Sequence, residues 1–275
     1  MVWVAMSNKP SLYIRYDLAE QWTAQTVFDK VQQQQGEIFR YKEGRRTLRF
    51  EQGGKSYFLK LHMGVGWIEI IKNLIHLRLP IISAKNEWQA IQLLESNQLD
   101  TMKIAGYGER GWNPAKKLSF LVTDDLVNTM NLEKLGEHWR NLPPSYITKV
   151  KLIDKLALIS KKMHEKGMNH RDFYLCHFLV DQSFSQTNTI DDDTQLFLID
   201  LHRAQIRKKV PQRWLIKDIG SLYFSALDVD LTTRDLLRFI KIYSGLPLRE
   251  ALNTQSRFWS KVHDRAIKLR DNGKS

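Results

Sequence analysis

A chain of 275 residues, 43% of them hydrophobic, can bury a sizeable core and fits two closely packed lobes better than two independent domains. Its formal charge of +12 and pI near 9.6 point to acidic partners, whether nucleic acid, a phosphorylated substrate or an anionic membrane surface, and charge alone does not choose among them. The one cysteine, Cys176, excludes an internal disulfide and suits strand packing, residues 1–10 lack a signal-peptide pattern, and no stretch reaches the roughly 18 apolar residues of a membrane span, so the expected setting is cytoplasmic, peripheral to a membrane at most.

In chain order, residues 13–34 mix apolar and polar side chains at helical spacing and read as a leading helix. Three alternating segments follow, 36–41, 47–52 and 56–62, with Gly44 and Gly53-Gly54 at the turns, the pattern of a three-stranded meander. Arg45 and Arg46 lie in the first turn, either solvated or aimed at an anion. Lys60 alternates with Leu59 and Leu61 and so points away from their apolar layer; it is an exposed strand lysine unless an acid meets it. Residues 63–80 exceed what a strand-to-helix link needs and interleave Trp67, Ile68, Ile70, Ile71, Leu74, Ile75 and Leu77 with Lys72, His76 and Arg78. This is an inserted amphipathic element that either packs on the neighbouring strands or lies at an interface. Residues 83–94 form a helix with a Trp88, Ile91, Leu94 stripe, flanked by Glu87. Segments 101–108 and 118–123, joined through Gly111-Trp112-Asn113-Pro114, complete a five-stranded sheet, and the chain then crosses to a second lobe near residues 124–129.

The second half is mostly helical. Residues 147–166, with Leu152, Leu156, Ile159 and Met163 on one face and Gly167 as a stop, form a long amphipathic helix. It feeds a loop, 169–177, that presents the carboxylate of Asp172 ahead of the apolar strand Phe178-Leu179-Val180. A further strand, 195–199, delivers Asp200. Between them, Asp191-Asp192-Asp193 reads as a solvated connection. On the core helix 214–227, Asp218 is either an exposed residue or a buried acceptor bracing the preceding loop, and the brace is the expectation. Thr232 is the N-cap of the next helix, which ends before Gly245. A last helix, 248–269, is strongly basic: from residue 257 on there are six Lys/Arg against two Asp, beside Phe258, Trp259, Val262 and Ile267.

His170-Arg171-Asp172 resembles the His-Arg-Asp triplet of protein kinases, whose Asp accepts the acceptor's hydroxyl proton and whose Asn, five residues on, holds a metal ion. Here that position is His177. Lys60, Glu87, Asp172 and Asp200 follow the order of the kinase strand lysine, helix glutamate, catalytic aspartate and metal aspartate, although the Gly-x-Gly-x-x-Gly loop is absent. Further stretches narrow the resemblance: Glu43-Gly44-Arg45-Arg46-Thr47-Leu48-Arg49-Phe50, Gly66-Trp67-Ile68-Glu69-Ile70-Ile71-Lys72-Asn73-Leu74, Leu77-Arg78-Leu79-Pro80, Asn86-Glu87-Trp88, Arg110-Gly111-Trp112-Asn113-Pro114-Ala115 and residues 168–179. Together they resemble the lipopolysaccharide core heptose(I) kinases of Gram-negative bacteria, over about residues 39–270.

That resemblance implies an α+β, two-lobed, protein-kinase-like fold, with a small antiparallel-sheet lobe in residues 1–125 and a mainly helical lobe in 126–275. It implies ATP-dependent phosphorylation of the first inner-core heptose with Mg2+, on a lipid-anchored anionic acceptor at the cytoplasmic face of the inner membrane. Nucleic acid is then no partner, and an acyl carrier or other helper protein is a candidate one. The implied roles are Asp172 as base, Lys60 with Arg45 and Arg46 at the nucleotide phosphates, Glu87 positioning Lys60, and Asp200 with His177 at the metal. Because magnesium prefers oxygen, His177 ligates the ion, orients a water or phosphate, or is structural. Arg171 makes either a fixed salt bridge or a contact to substrate phosphate. A kinase of Kdo or another sugar would keep the same set, whereas a catalytically inactive basic binding module would explain the charge without needing the four residues.

Overall fold

The computed structural model describes residues 2–3, 12–42, 44–64, 66–75, 83–184 and 189–273. They fall into two compact units, Met1–Gln92 with Met102–Val127, and Leu93–Thr101 with Asn128–Ser275. The segment Leu93–Thr101 groups with the second unit, although it precedes part of the first in sequence.

The first unit is built on a seven-stranded antiparallel sheet of β1 (Val2–Trp3), β2 (Leu12–Ile14), β3 (Glu37–Lys42), β4 (Arg45–Gln52), β5 (Lys55–Met63), β6 (Ile104–Arg110) and β7 (Leu118–Asp124), in the order β1-β2-β6-β7-β5-β4-β3. Five of these are the expected strands. The leading helix is corrected: its first residues form β2, which pairs with β6 through Tyr13 and Tyr107, and the rest divides into α1 (Tyr16–Ala19) and α2 (Val27–Gln33). The break falls at Thr23 and Thr26, whose hydroxyls bond to each other at 3.0 Å and so offer a local alternative to the helical ladder. Arg15 fixes the strand-to-helix corner, with Asp17 at 2.7 Å and Asp124 at 2.5 Å.

The helical spacing in that region is nonetheless real. Leu18, Trp22, Val27, Phe28 and Val31 pack on Leu48, Phe50, Leu59, Leu61, Phe120 and Val122 in one apolar cluster, with Trp22 stacked on Phe50 at 5.7 Å. Each such burial stabilises by about 1.5–3 kcal/mol. Leu59 and Leu61 enter this layer, which leaves Lys60 on the opposite face of β5. After β5, α3 (Gly66–Ile75) buries Ile70 but leaves Trp67, Ile68, Ile71 and Ile75 exposed, Ile68 at 86%. Glu43 and the Leu77-Arg78-Leu79-Pro80 stretch lie outside the described residues.

Helix α4 (Lys85–Ser96) begins in the first unit. The second unit holds β8 (Thr129–Asn131), α5 (Leu132–Asn141), α6 (Tyr146–Glu165), β9 (Met168–Asn169), β10 (Phe178–Asp181), β11 (Phe197–Leu198), β12 (Gln205–Ile206), α7 (Gln212–Ser225), α8 (Thr233–Ser244), α9 (Leu248–Thr254) and α10 (Ser256–Asn272). Strand β10 lies between β11 and β8, and β12 pairs with β9. Thr232 and Asp235 form a reciprocal capping box at α8, which stops at left-handed Gly245. The expected terminal helix is two. Thr254 turns its hydroxyl onto the Glu250 carbonyl at 2.8 Å, Gln255 leaves helical geometry, and the change of direction lets Ala251, Phe258, Val262 and Ala266 all reach the interior. Arg257, Lys261, Lys268 and Arg270 remain exposed. Arg265 instead packs on α7, where a Cβ on Gly220 would lie 2.6 Å from its side chain. Asp192 is held by Lys151 and Lys155. Among the described residues no helix is long and apolar enough to cross a membrane.

Candidate active site

In the first unit Lys60 lies on β5 between Thr47 of β4 and Leu121 of β7. Its Nζ sits 2.6 Å from Oε1 of Glu87. Glu87 stands in the first turn of α4 and is 1% exposed; its neighbour Trp88 stacks on Tyr107 at 4.6 Å and pins the helix to the sheet. A buried carboxylate needs such a partner, because losing one member of a buried pair costs about 3–5 kcal/mol. The acid that makes Lys60 a positioned cation is therefore in place. Arg46 is engaged elsewhere: it donates to the carbonyls of Val31 at 3.1 Å and Gln32 at 2.8 Å, groups that the end of α2 leaves without helical partners. Arg45 opens β4, in register with Lys42 and His62.

In the second unit α6 ends at Gly167, whose φ is +80° and where a Cβ would lie 1.8 Å from the Arg207 carbonyl oxygen, so only glycine fits. Strand β9 follows, and then the loop that carries Asp172. Asp218 of α7, fully buried, accepts the amide hydrogens of His170 at 2.6 Å and Arg171 at 2.8 Å; it is the brace. Arg171 is held with φ of +77° and Asp200 with φ of +60°. Non-glycine residues adopt this conformation only where surrounding contacts over-determine it. His170 is buried and donates from Nε2 to the Ile199 carbonyl at 2.9 Å, while its Nδ1 accepts from the Asp172 amide at 3.3 Å. Burial lowers its pKa and keeps it neutral. The Ile199 amide in turn donates to the His177 carbonyl at 2.9 Å, so the loop carrying Asp172 and the strand leading to Asp200 form one frame.

The Asp172 carboxylate accepts from Nη1 of Arg203 at 2.7 and 3.0 Å. His177 donates from Nδ1 to the Asp172 carbonyl at 2.6 Å and stacks on His170 at 5.7 Å. Its Nε2 lies 3.6 Å from Oδ2 of Asp200, whose Oδ1 meets Nδ1 of His202 at 2.7 Å. Burial opposes charge on His177, but hydrogen bonds with Cys176 and with the Asp172 carbonyl, together with the Asp200 charge, outweigh it and push its pKa up to about 9. Arg203 and His202 are site residues that the sequence reading did not single out. Both lie in the short helical turn Leu201–Arg203 that begins directly after Asp200.

The donor set suits a divalent cation. His177, 3.6 Å from Asp200, and Asp200 are the residues that would hold it, with His177 Nδ1 already fixing the ring through the Asp172 carbonyl. Among the described residues no group of three or more His, Cys, Asp or Glu could hold an ion, so a bound cation would need further ligands from substrate or solvent, as magnesium commonly takes.

The profile of the lipopolysaccharide kinase (Kdo/WaaP) family matches residues 29–243. The chain is 45% identical over 258 residues to the lipopolysaccharide core heptose(I) kinase WaaP of Escherichia coli, covering 94% of this chain and 96% of that protein. It is 45% identical over 248 residues to the protein of the same name from Pseudomonas aeruginosa, covering 90% and 91%. Among solved structures, WaaP in complex with acyl carrier protein is similar at a TM-score of 0.80 and 39% identity, covering 94% of this chain and 98% of that one. The likeness gives the chain the kinase-like α+β fold that its sequence implied.

Proposed function

The chain belongs to the lipopolysaccharide kinase (Kdo/WaaP) family, and from that premise we propose that it is an ATP-dependent sugar kinase that phosphorylates the first heptose of the lipopolysaccharide inner core. The observation that supports this best is Asp172, oriented by Arg203 on a loop clamped by Asp218 and stitched to Asp200. A kinase of Kdo would present the same residues; the 45% identity to proteins named heptose(I) kinases favours heptose. Comparing transfer to a heptose-containing core with transfer to a Kdo-only core separates the two.

Phosphoryl transfer asks little covalent work of a protein. It asks for alignment and for charge where the phosphates carry theirs. Asp172 accepts the hydrogen bond of the heptose hydroxyl and takes its proton, and Arg203 holds the carboxylate in one rotamer. Lys60, positioned by Glu87, neutralises the nucleotide phosphates. Of the two hairpin arginines we assign the phosphates to Arg45, because Arg46 closes the hairpin onto α2. Asp200 and His177 would hold magnesium, which when bound supplies positive charge to the phosphate oxygens. On this assignment residues 1–125 carry the nucleotide-handling side chains and residues 126–275 the acceptor and metal side chains.

If His177 is a ligand, His177→Asn stays active, since Asn supplies an oxygen, and the ratio of magnesium- to manganese-supported rates rises, because the harder oxygen favours magnesium. Rates measured with each ion decide it. An unchanged ratio in an active variant assigns His177 to holding the Asp172 backbone alone.

The acceptor class supports a peripheral setting at the cytoplasmic face of the inner membrane. The exposed Trp67, Ile68, Ile71 and Ile75 of α3 form the apolar side of an interfacial helix, and the exposed lysines and arginines of α10 add charge, each about 1 kcal/mol near an anionic surface. Ile68→Glu reduces co-sedimentation with anionic vesicles severalfold. Wild-type co-sedimentation by that variant would remove α3 from the docking role. An acyl carrier protein is the candidate partner, because a similar solved structure is that of WaaP in complex with acyl carrier protein and the second unit holds a cavity of about 260 Å³ lined by Leu135, Trp139, Leu156, Leu222, Phe239 and Trp259, apolar enough for part of an acyl chain. Failure of the acylated carrier to co-elute with the protein on gel filtration would dismiss it.

A further inference from the structure

Four cationic side chains surround one indole beside the catalytic loop. Arg171, Lys217, Arg213 and Arg207 lie 5.1, 5.3, 5.5 and 6.0 Å from the ring of Trp214. They come from three places: Arg171 from the loop itself, Arg207 directly after β12, and Arg213 with Lys217 from successive turns of α7, where i and i+4 share a face. A fifth cation, Arg203, adjoins them on Asp172.

The acids nearby do not balance these charges. Asp172 is taken by Arg203, and both oxygens of Asp218 accept loop amides. Arg207 is tied by hydrogen bonds to Asn169 and Gln205, both neutral. Among the described residues Arg171, Arg213 and Lys217 make no ion pair, and Nε of Arg171 is buried without a hydrogen bond. Helix α7 adds to the deficit, since Pro211 at its N-cap gives no side-chain cap to the first amides. Burial, then Arg203 and Arg171, lowers the pKa of Lys217; burial, then Arg203, lowers that of Arg171. Attraction to the indole face offsets part of this repulsion. A bound anion would offset the rest.

We propose that this cluster is an oxyanion subsite of the acceptor, taking a carboxylate or phosphate on a sugar next to the ring whose hydroxyl meets Asp172, so that Arg171, Arg213 and Lys217 select an acidic acceptor. The inference rests on the sugar-kinase reading of Asp172. The same Asp172 charge acts on both Arg171 and Lys217, which puts the subsite in the neighbourhood of the base.

The test is the double variant Arg213→Gln, Lys217→Gln. On the intact acidic core its KM for the acceptor rises about tenfold or more, as expected for lost charge-assisted hydrogen bonds, while kcat and the KM for ATP stay close to wild type. The charge-keeping Arg213→Lys, Lys217→Arg pair stays near wild type. Against an acceptor whose carboxylates are reduced to alcohols, and separately against a dephosphorylated acceptor, one comparison shows wild type and variant alike and so identifies the oxyanion. Equal loss on the acidic and both neutralised acceptors overturns the proposal. If wild type phosphorylates no core acceptor, the kinase reading fails by itself. The subsite is then tested on the full chain by tryptophan fluorescence during titration with inorganic phosphate and with a free 2-keto sugar acid. A saturable response that the double variant lacks supports the site, and no response, or the same response in both proteins, overturns it.

Discussion

Asp172→Ala lowers turnover by about a thousandfold or more and leaves ATP affinity nearly unchanged. A positioned base contributes about 10²–10⁴ in rate, and in the proposed role this carboxylate also orients the acceptor hydroxyl, whereas the nucleotide phosphates are assigned to Lys60. Arg203 makes the prediction sharper. Its Nη1 donates to both Asp172 oxygens, so it acts on the reaction through Asp172. Arg203→Ala alone therefore slows turnover, and added to Asp172→Ala it costs little more, the non-additivity expected of residues that work as one unit. Single-turnover rates with nucleotide binding measured separately check both parts. Near-normal turnover in Asp172→Ala would take the base role away from this residue.

Asp218→Ala produces the largest loss of stability, about 3–5 kcal/mol. The residue is fully buried, and its removal leaves the amides of His170 and Arg171 without acceptors, each worth about 1–3 kcal/mol when orphaned, with a small cavity besides. For a chain of this size 1 kcal/mol corresponds to about 2–4 °C in Tm, so the melting temperature falls by roughly 6–20 °C. Activity falls further than stability, because Arg171 then relaxes from its positive φ and carries Asp172 with it. Asp218→Asn recovers part of the loss by keeping one acceptor oxygen. Thermal melts read beside turnover measure this; an Ala variant that melts like wild type would mean that other contacts hold the loop.

The outline of the candidate site was legible because its signals are local. Lys60 alternates with two core leucines, Glu87 flanks a helical stripe, Asp172 lies in a loop ahead of a short apolar strand, and Asp200 follows another. Asp218 was legible as a polar residue on an apolar helix. Arg203 and His202 were not, since their roles depend on how a three-residue turn folds back on the loop, and nothing in their spacing announces it. Arg46 looked like a phosphate ligand because its pairing with the carbonyls of Val31 and Gln32 is a tertiary contact. The same reason hides β2: residues 12–14 read as helix until β6 supplies the hydrogen bonds that make them a strand. Helix α5 had a usable signal in Leu132, Leu135, Gly136 and Trp139, all buried at i, i+3, i+4 and i+7. Trp214 was legible as a core-helix residue; its ring of cations required the loop, β12 and α7 to meet.

The most direct test of the central claim is incubation of the purified protein with γ-labelled ATP and heptose-containing core lipopolysaccharide, followed by partition of the label and mass analysis of the core sugars. The expected result is one phosphate on the first heptose, dependent on Asp172 and absent when the acceptor ends at Kdo. Label in the protein, label on Kdo, or no transfer to an acceptor bearing that heptose would contradict it.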